Sequence, residues 1–258
     1  MLLQEMTWPH VERLSKETPV IIPIAALEQH GHHLPLFTDS ILLGEIVQRV
    51  HKAMSDRALF APLMWLGNSH HHMDFNGTLS CQPRCYLDLL NGLVDNFIVH
   101  GFKRIFLLNG HGGNDIPGKQ SMFEIRQEYR SRNDLLLLFS TYWSLGCQPY
   151  ISFPGFVQQE MGHACEWETS MLLRIAPQLV GDYQAAGPVE PGNAFRPATR
   201  AWITKDRSQP GHIGWPQHAS AEKGEHLLNE FSKDVTKMIQ RIIEWDGTGW
   251  DEGEAKKR

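Results

Sequence analysis

Residues 18–54 read TPVIIPIAALEQHGHHLPLFTDSILLGEIVQRVHKAM, and this stretch predicts a strand, a polar junction and a helix in succession. The apolar run over residues 18–27 is typical of a buried strand. Asp39 or Ser40 is a favourable N-cap for a helix over residues 41–54, whose apolar side chains recur at helical spacing. A strand followed at short distance by a helix is the repeating unit of α/β folds.

The same succession continues along the chain. Further strands are predicted over residues 59–66, 103–108 and 135–139, and further helices over residues 86–100, 120–130 and 219–245. The third and fourth strands are predicted to be covered on both faces, and Pro23 marks an irregularity or an edge in the first. Short links require right-handed crossovers, so the pattern predicts one α/β domain over residues 1–258, with a mostly parallel central sheet flanked by helices on both faces.

Composition and charge restrict the partners of the chain. Its 258 residues carry a formal net charge of −5, which gives no basic field for nucleic acid. No apolar run is long enough to span a bilayer, and the charges among residues 5–17 argue against a signal peptide. Four cysteines without a CxxC pair predict reduced thiols and a cytoplasmic location. The mixed-charge residues 251–258 are predicted to fray.

Metal-competent side chains follow the predicted strands. Glu28 and His30, two residues apart, are predicted to share one face of the first strand. The other polar side chains that follow strands are Asp39, Ser69, His72 and His111. Because loops after parallel strands emerge at one edge of a sheet, these groups are predicted to meet there. Carboxylate and imidazole ligands together favour zinc, manganese or iron over calcium.

A later segment adds an imidazole and two carboxylates. It reads GHACEWETS, residues 162–170, and precedes an apolar-periodic stretch. Helical spacing pairs His163 with Glu166 rather than with Glu168. If His163 instead precedes the helix, either glutamate can reach the rim of the sheet. The spacing leaves this choice open.

Long loops and aromatic residues are candidates for pocket walls. Residues 146–162 and 185–216 are rich in Gly, Pro and aromatics without clear periodicity, and such loops are more often functional than idle. The aromatic candidates, for either a pocket wall or the core, are Trp143, Trp167 and Phe75. Four histidines are expected around the metal or at the surface rather than as ligands: His32, His33, His70 and His71.

Five segments, in order through nearly the whole chain, resemble the creatininase family of metal-dependent amidohydrolases. They are EQHGHHLPLFTD (28–39), GNSHHHMDFNGT (67–78), NGHGGN (109–114), GHACEWETS (162–170) and GHIGWPQHASAEKG (211–224). The resemblance implies a three-layer α/β sandwich, usually assembled as a homohexamer. It also implies two divalent ions per subunit, zinc, manganese or iron, at the carboxyl ends of the strands.

The resemblance also implies roles for individual residues. By position, Glu28 and His111 hold one ion, His30 holds the other, and Asp39 bridges both. His163 matches the histidine to which the family assigns proton transfer. These five positions all carry the residue type that the family pattern requires.

The sequence departs from creatininase itself at Gly113. Creatininase has a glutamate there that binds the second ion, and Glu168 is the position best placed to replace it, as ligand and as catalytic group. Ser69 and His72 match pocket residues near the substrate, and with Trp143 they form the predicted substrate-binding set. The departure puts creatinine in doubt as the substrate, because relatives with the HGGN form include formamide and peptide-type amide hydrolases.

Together these features predict a binuclear metal-dependent hydrolase. It is expected to cleave a C–N amide bond outside peptides, in a cyclic amide or a formamide, by a hydroxide that bridges the ions. A Ser-His-Asp hydrolase is set aside because the sequence has no GxSxG elbow. The alternative is a metal-containing binding or regulatory protein of the same fold. The predicted partners are a small-molecule amide and further copies of the chain, without nucleic acid or membrane.

Overall fold

Four parallel strands form one sheet in the computed structural model, which describes residues 1–247 and 249. The strands, in sheet order β2-β1-β3-β4, are β1 Val20–Ile24, β2 Leu59–Phe60, β3 Arg104–Asn109 and β4 Leu136–Thr141. Every neighbouring pair is parallel, so all four carboxyl ends lie at one edge. The predicted α/β class with a parallel sheet is confirmed, and the tail predicted to fray, residues 251–258, lies outside the described residues.

Helices cover both faces of this sheet. They are α1 Trp8–Glu12, α2 Thr38–Met54, α3 Pro83–Val99, α4 Asp115–Glu128, α5 Pro149–Ser152, α6 Glu166–Ile175, α7 Thr204–Arg207 and α8 Ala221–Glu244. Side chains of α2, α6 and α8 share one buried apolar cluster with the sheet, and those of α3 and α4 share another. The chain is therefore the three-layer sandwich that the sequence predicted.

Alternation along the strands divides the core in two. Ile21 faces the cluster of α2, α6 and α8, whereas its neighbour Ile22 faces the cluster of α3 and α4. Phe106 and Leu107 divide in the same way on β3. Successive strand side chains point to opposite faces, so a continuous apolar run is what a sheet covered on both sides requires.

Pro23 lies inside the sheet and not at its edge, because β1 is paired with both β2 and β3. The carbonyl of Pro23 accepts from Met64 N at 2.9 Å, on the β2 side. Its missing N–H falls where β2 has already ended at Phe60, so no ladder bond is lost there. The strand predicted over residues 59–66 is only two residues long. Pro62 lies within the predicted range and, like Pro23, has no N–H to donate to a neighbouring strand.

Two helix starts differ from the sequence prediction. Helix α2 begins at Thr38 after Phe37, and Ser40 is no cap, because its hydroxyl donates to Ala26 O at 2.8 Å. Asp39 is not a cap either, since its carboxylate turns toward the imidazoles described below. Helix α4 begins at Asp115, five residues before the predicted start at residue 120. Its first turn contains a proline, which is tolerated there because the N–H of that position has no helical partner.

Strand β4 is less buried than predicted. Residues 136–140 are only partly buried, because β4 is an outer strand of the sheet. Within the described residues, no helix is both long and apolar enough to cross a membrane.

Candidate metal centre

The carboxyl ends of β1 and β3 deliver the predicted metal ligands to one place. Glu28 and His30 lie in the loop after β1, and His111 lies two residues beyond β3. Asp39 comes from the first turn of α2. Strand alternation does not explain the convergence of Glu28 and His30, because β1 ends at Ile24. The loop itself turns the two side chains together.

Asp39 occupies the middle of the cluster. Its Oδ1 lies 3.1 Å from Nε2 of His30, and its Oδ2 lies 2.9 Å from Nδ1 of His111. Oε1 of Glu28 lies 3.3 Å from the same His111 nitrogen. All four side chains are buried, with relative exposures of 3% or less. One carboxylate thus faces two different imidazoles with its two oxygens.

Hydrogen bonds orient both imidazoles with one nitrogen toward the carboxylates. Nδ1 of His30 lies 3.0 Å from the carbonyl oxygen of Glu28, and Nε2 of His111 lies 3.1 Å from the carbonyl oxygen of Asn68. A carbonyl only accepts, so each of these nitrogens carries the proton and donates it. The other nitrogen of each ring faces the acids, where it can hold a proton or bind a cation. Metal-binding histidines are commonly held by this arrangement.

Three carboxylate oxygens in this cluster lack hydrogen bonds within the described residues. They are Oε1 and Oε2 of Glu28 and Oδ2 of Asp39. Leaving a buried charge unpaired is costly, whereas a cation between the acids and the imidazoles would compensate it. Ligand atoms of Glu28, His30 and Asp39 all lie within 4.8 Å of one another. The donor set of carboxylates and imidazoles fits zinc, manganese or iron.

The acids and imidazoles of this cluster shift one another's pKa toward the charged forms. Burial opposes ionisation of Glu28, yet His111 and His72 outweigh it and hold the pKa of Glu28 well below its ordinary value. Burial likewise favours neutral His30, yet Asp39 with its neighbouring acids raises the pKa of His30 to about 9. The same acids raise the pKa of His111 well above its usual range. A divalent cation supplies the positive charge that protons otherwise provide here.

Glu168, and not Glu166, faces this cluster. Helix α6 begins at Glu166, so His163 precedes it, and Oε1 of Glu168 lies 3.9 Å from Nε2 of His30. Glu166 instead pairs with Lys223 at 2.5 Å and accepts from the backbone N–H of Gln158 at 2.8 Å. Burial raises the pKa of Glu168 to about 7, against the opposing effect of His30.

His163 lies beside the cluster as a neutral imidazole. Its backbone pairs in both directions with Ile213, and its Nε2 donates to Gln29 O at 2.8 Å. Nδ1, left with its lone pair, lies 3.6 Å from Oε1 of Glu28. Burial and the neighbouring imidazoles of His72 and His30 hold the pKa of His163 well below its ordinary value. The ring is therefore uncharged at neutral pH and able to accept a proton.

Gly113 has no room for a side chain. A Cβ there would lie 2.2 Å from Asn68 O and 2.4 Å from Nε2 of His111. The carbonyl of Asn68 is the group that orients His111, so a side chain at Gly113 would disturb this ligand. The missing glutamate of creatininase is thus excluded by the local backbone, and Glu168 faces the cluster from another element.

A cavity of about 510 Å³ opens onto the cluster. Of the predicted substrate-binding residues, His72 and Trp143 line this cavity. Ser69 does not line it but lies fully buried, with Oγ 3.4 Å from Nε2 of His111. Trp167 packs in the core against Phe231, so its use as a pocket wall is wrong. Residues from both predicted wall loops do line the cavity: Met161, Gly162, Pro191, Trp202, Arg207 and Ile213.

His72 has the opposite orientation to the two candidate ligands. Its Nδ1 accepts from Gln29 Nε2 at 2.7 Å, and the hydroxyl of Thr204 lies 2.9 Å from the same nitrogen. Its Nε2 therefore carries the proton, and this N–H points at Glu28 Oε1, 3.3 Å away. A protonated nitrogen cannot bind a metal, so the arrangement suits a residue that positions Glu28 or contacts a substrate.

Sequence reasoning missed one neighbour of the centre, Gln29. Gln29 donates from its side-chain amide to His72 and to the carbonyl of Gly211, and its backbone carbonyl accepts from His163. Its place between the two candidate ligands of the EQH motif was the available signal. His71, which was expected around the metal or at the surface, lines the cavity and stacks on His111 with an interplanar angle of 11°.

Comparison with known proteins agrees with this fold. The sequence profile of the creatininase family, described as creatinine amidohydrolase, matches residues 4–239. The chain therefore belongs to the creatininase family.

Three characterised relatives match over most of their length. A mycofactocin precursor peptide peptidase of Mycolicibacterium smegmatis is 29% identical over 231 residues, 88% of this chain and 85% of its own. The creatinine amidohydrolase of Pseudomonas putida is 27% identical over 252 residues, 92% and 95% of the two chains. The 3-dehydro-scyllo-inosose hydrolase of Thermotoga maritima is 32% identical over 264 residues, 93% and 83%. Because one relative is a peptidase, the predicted restriction to non-peptide bonds is unsupported.

Solved structures of creatininase share the fold. A crystal structure of creatinine amidohydrolase superposes with a TM-score of 0.79 at 25% identity, covering 94% of this chain and 97% of the other. Two further creatininase structures, a manganese form and a zinc-zinc form of a mutant, give the same TM-score and identity, with 94% of this chain and 98% of each covered.

Proposed function

We propose that this chain is a metal-dependent hydrolase that cleaves a C–N amide bond with two divalent ions. The observation that carries the proposal is the position of Asp39, whose two oxygens face His30 and His111 at 3.1 and 2.9 Å. A carboxylate between two oriented imidazoles is suited to bridging two cations. Membership of the creatininase family supports the same activity.

The proposed ligands form two groups. Glu28, Asp39 and His111 would hold one ion, and His30, Asp39 and Glu168 would hold the other. Zinc or manganese, with iron as a third choice, fits these donors, and creatininase itself has been solved in zinc and manganese forms. When bound, such ions polarise a carbonyl and lower the pKa of water toward about 7, which an unactivated amide requires.

His163 is the proposed proton carrier. Its neutral ring has a lone pair on Nδ1 beside Glu28, while the Nε2–H bond to Gln29 O fixes the ring plane. His163 can therefore take a proton from water and deliver it to the departing nitrogen, a role worth about 10² to 10⁴ in rate. Glu168 has the second proposed catalytic role, since its carboxylate, 3.9 Å from Nε2 of His30, would hold the second ion beside this imidazole.

The substrate occupies the cavity beside these residues. Trp143 and His72 form part of its wall, and Ser69 acts behind it by supporting His111. The substrate class includes small amides and short peptides, because two of the relatives are named for creatinine and for a precursor peptide. A single domain over residues 1–258, a homo-oligomer of hexamer type and a cytoplasmic location complete the proposal, and four free cysteines support the last.

The experiment combines metal analysis with hydrolysis. Purified protein is stripped with a chelator, reloaded with zinc or manganese, and assayed on cyclic amides, formamides and dipeptides. We expect hydrolysis of at least one class, lost on stripping and restored by metal. Stoichiometric metal with no hydrolysis of any class would favour the binding or regulatory alternative, and failure to bind either metal would overturn both.

A further inference from the structure

Arg207 at the end of α7 lines the cavity of the metal centre and also a second cavity beside it. The second cavity, of about 530 Å³, shares Pro191, Trp202 and Arg207 with the first. The two cavities therefore meet at this arginine. None of the steps proposed above uses its guanidinium group.

The charge of Arg207 has no acidic partner in the described part of the chain. Within the described residues its guanidinium makes a cation–π contact with Trp202, whose ring centroid lies 4.5 Å from the guanidinium carbon. Arg49, by contrast, pairs with Glu225 at 2.9 Å, and Arg132 pairs with Asp134 at 2.7 Å. Arg207 is half-buried, and this burial alone lowers its pKa. Partial desolvation without a counter-charge is what an anion-binding arginine shows before its ligand arrives.

Aromatic contacts fix Arg207 relative to the metal centre. The ring of Trp202 meets the ring of His71 edge-on, with centroids 5.0 Å apart. His71 in turn stacks on His111, a candidate ligand, at 5.9 Å. A guanidinium held on an aromatic face keeps its five donors in a planar fork that matches a carboxylate or phosphate.

Further charged side chains line the second cavity. Arg196 and Arg200 line it together with two acids, Glu190 and Asp206. The carboxylate of Asp206 already accepts from the backbone N–H of Ile203 at 3.0 Å. With Arg207 included, the cavity carries three cationic and two acidic side chains.

We infer that Arg207 binds an oxyanion of the substrate, so that the cleaved amide belongs to a molecule bearing a carboxylate or phosphate group near the scissile bond. The inference rests on the proposed function, since it places the amide at the metal centre and the anion at Arg207. Charge-assisted bonds of this kind contribute about tenfold to a hundredfold in affinity.

Calorimetry on the metal-loaded protein tests this without requiring hydrolysis. The probes are N-acetylglycine against N-acetylglycinamide, and N-acetylethanolamine phosphate against N-acetylethanolamine. We expect wild-type protein to bind at least one anion about tenfold or more tightly than its neutral partner. The pair with the larger ratio identifies carboxylate or phosphate as the preferred group.

Three variants complete the test. Arg207→Gln is expected to remove the preference for the anion, Arg207→Lys to retain part of it, and Arg132→Gln, a surface control with the same charge change, to retain all of it. An unchanged ratio in Arg207→Gln, or no anion preference in wild type, would overturn the inference even if amides are hydrolysed. Conversely, if wild type prefers the anion, Arg207→Gln loses this preference, and no amide is cleaved, then Arg207 is an anion-binding residue and the proposed function is refuted.

Discussion

Glu166 and Glu168 lie two residues apart in the first turn of α6 and meet opposite environments. Glu168 faces His30 at 3.9 Å, whereas Glu166 is fully buried against Lys223 at 2.5 Å. Helical rotation over two residues separates the two side chains on the helix surface. One glutamate therefore belongs to the candidate metal centre and the other to the ion pair between α6 and α8.

Exchanging each glutamate for glutamine is predicted to give two different defects. Glu168→Gln removes a ligand charge and should lose one of two bound ions with little change in melting temperature of the metal-free protein. Glu166→Gln leaves Lys223 without its partner and should cost about 3 kcal/mol of unfolding free energy while both ions remain. Metal analysis and urea unfolding measure the two effects, and equal metal loss in both variants would contradict the assignment.

Gly113→Ala is predicted to weaken metal binding although Gly113 is not itself a proposed ligand. The new Cβ would lie 2.2 Å from Asn68 O, so the backbone that orients His111 must shift. We expect metal affinity to fall by more than about tenfold, which corresponds to about 1.4 kcal/mol. Gly112→Ala is the matched control, because nothing lies within 4 Å of a Cβ there. Similar metal affinities in the two variants would show that metal binding does not require the absence of a side chain at Gly113.

His163→Asn is predicted to separate catalysis from metal binding. His163 is outside the two proposed ligand groups, so bound metal should stay near the wild-type content. The hydrolytic rate constant should fall by about 10² to 10⁴, with a smaller change in KM. His32→Asn, at an exposed histidine of the EQHGHH motif, serves as the control. Loss of metal in His163→Asn would make this residue a ligand instead.

Glu225 is predicted to make stability depend on acid pH. Its carboxylate binds Arg49 and Arg174, which lower its pKa to about 2 and connect α8 with α2 and α6. Because the pKa is lower in the folded than in the unfolded chain, the stabilisation is complete above the ordinary value near 4.5 and is lost as pH falls toward about 2. The side chain is 36% exposed, so solvent screening limits the effect to about 1 kcal/mol.

Urea unfolding of Glu225→Gln at pH 7 and pH 3 measures this effect. The variant should be less stable than wild type at pH 7, and the difference should shrink at pH 3. Glu222→Gln, on the same helix, has no ion pair within the described residues and should show no difference at either pH. If Glu225→Gln is less stable than wild type by the same amount at both pH values, the ion pairs are not the cause.

Local sequence predicted most of the sheet and four of the clustered candidate ligands. Apolar runs identify β1 and β3 because burial on both faces needs no polar alternation. Glu28, His30, Asp39 and His111 follow strands, and parallel topology brings strand ends together whatever the loop conformation. Pro62 limited β2 to two residues, an effect that the apolar run around it concealed.

The remaining features depend on contacts between distant segments. The choice between Glu166 and Glu168 needs the position of Lys223, which lies on another helix. Arg207 and Trp202 reach the cavity from an irregular loop, and no periodicity predicts where such a loop places its side chains. Tertiary contacts of this kind have no signature in the spacing of the residues themselves.

Metal content of wild type and Asp39→Ala tests the central claim most directly. The claim is that Asp39 bridges two ions, so wild type reloaded with zinc should contain about two ions per chain. The variant should lose most of this metal and all hydrolysis, while its circular dichroism spectrum stays that of the folded chain. Near-stoichiometric metal in a folded Asp39→Ala protein would contradict the account.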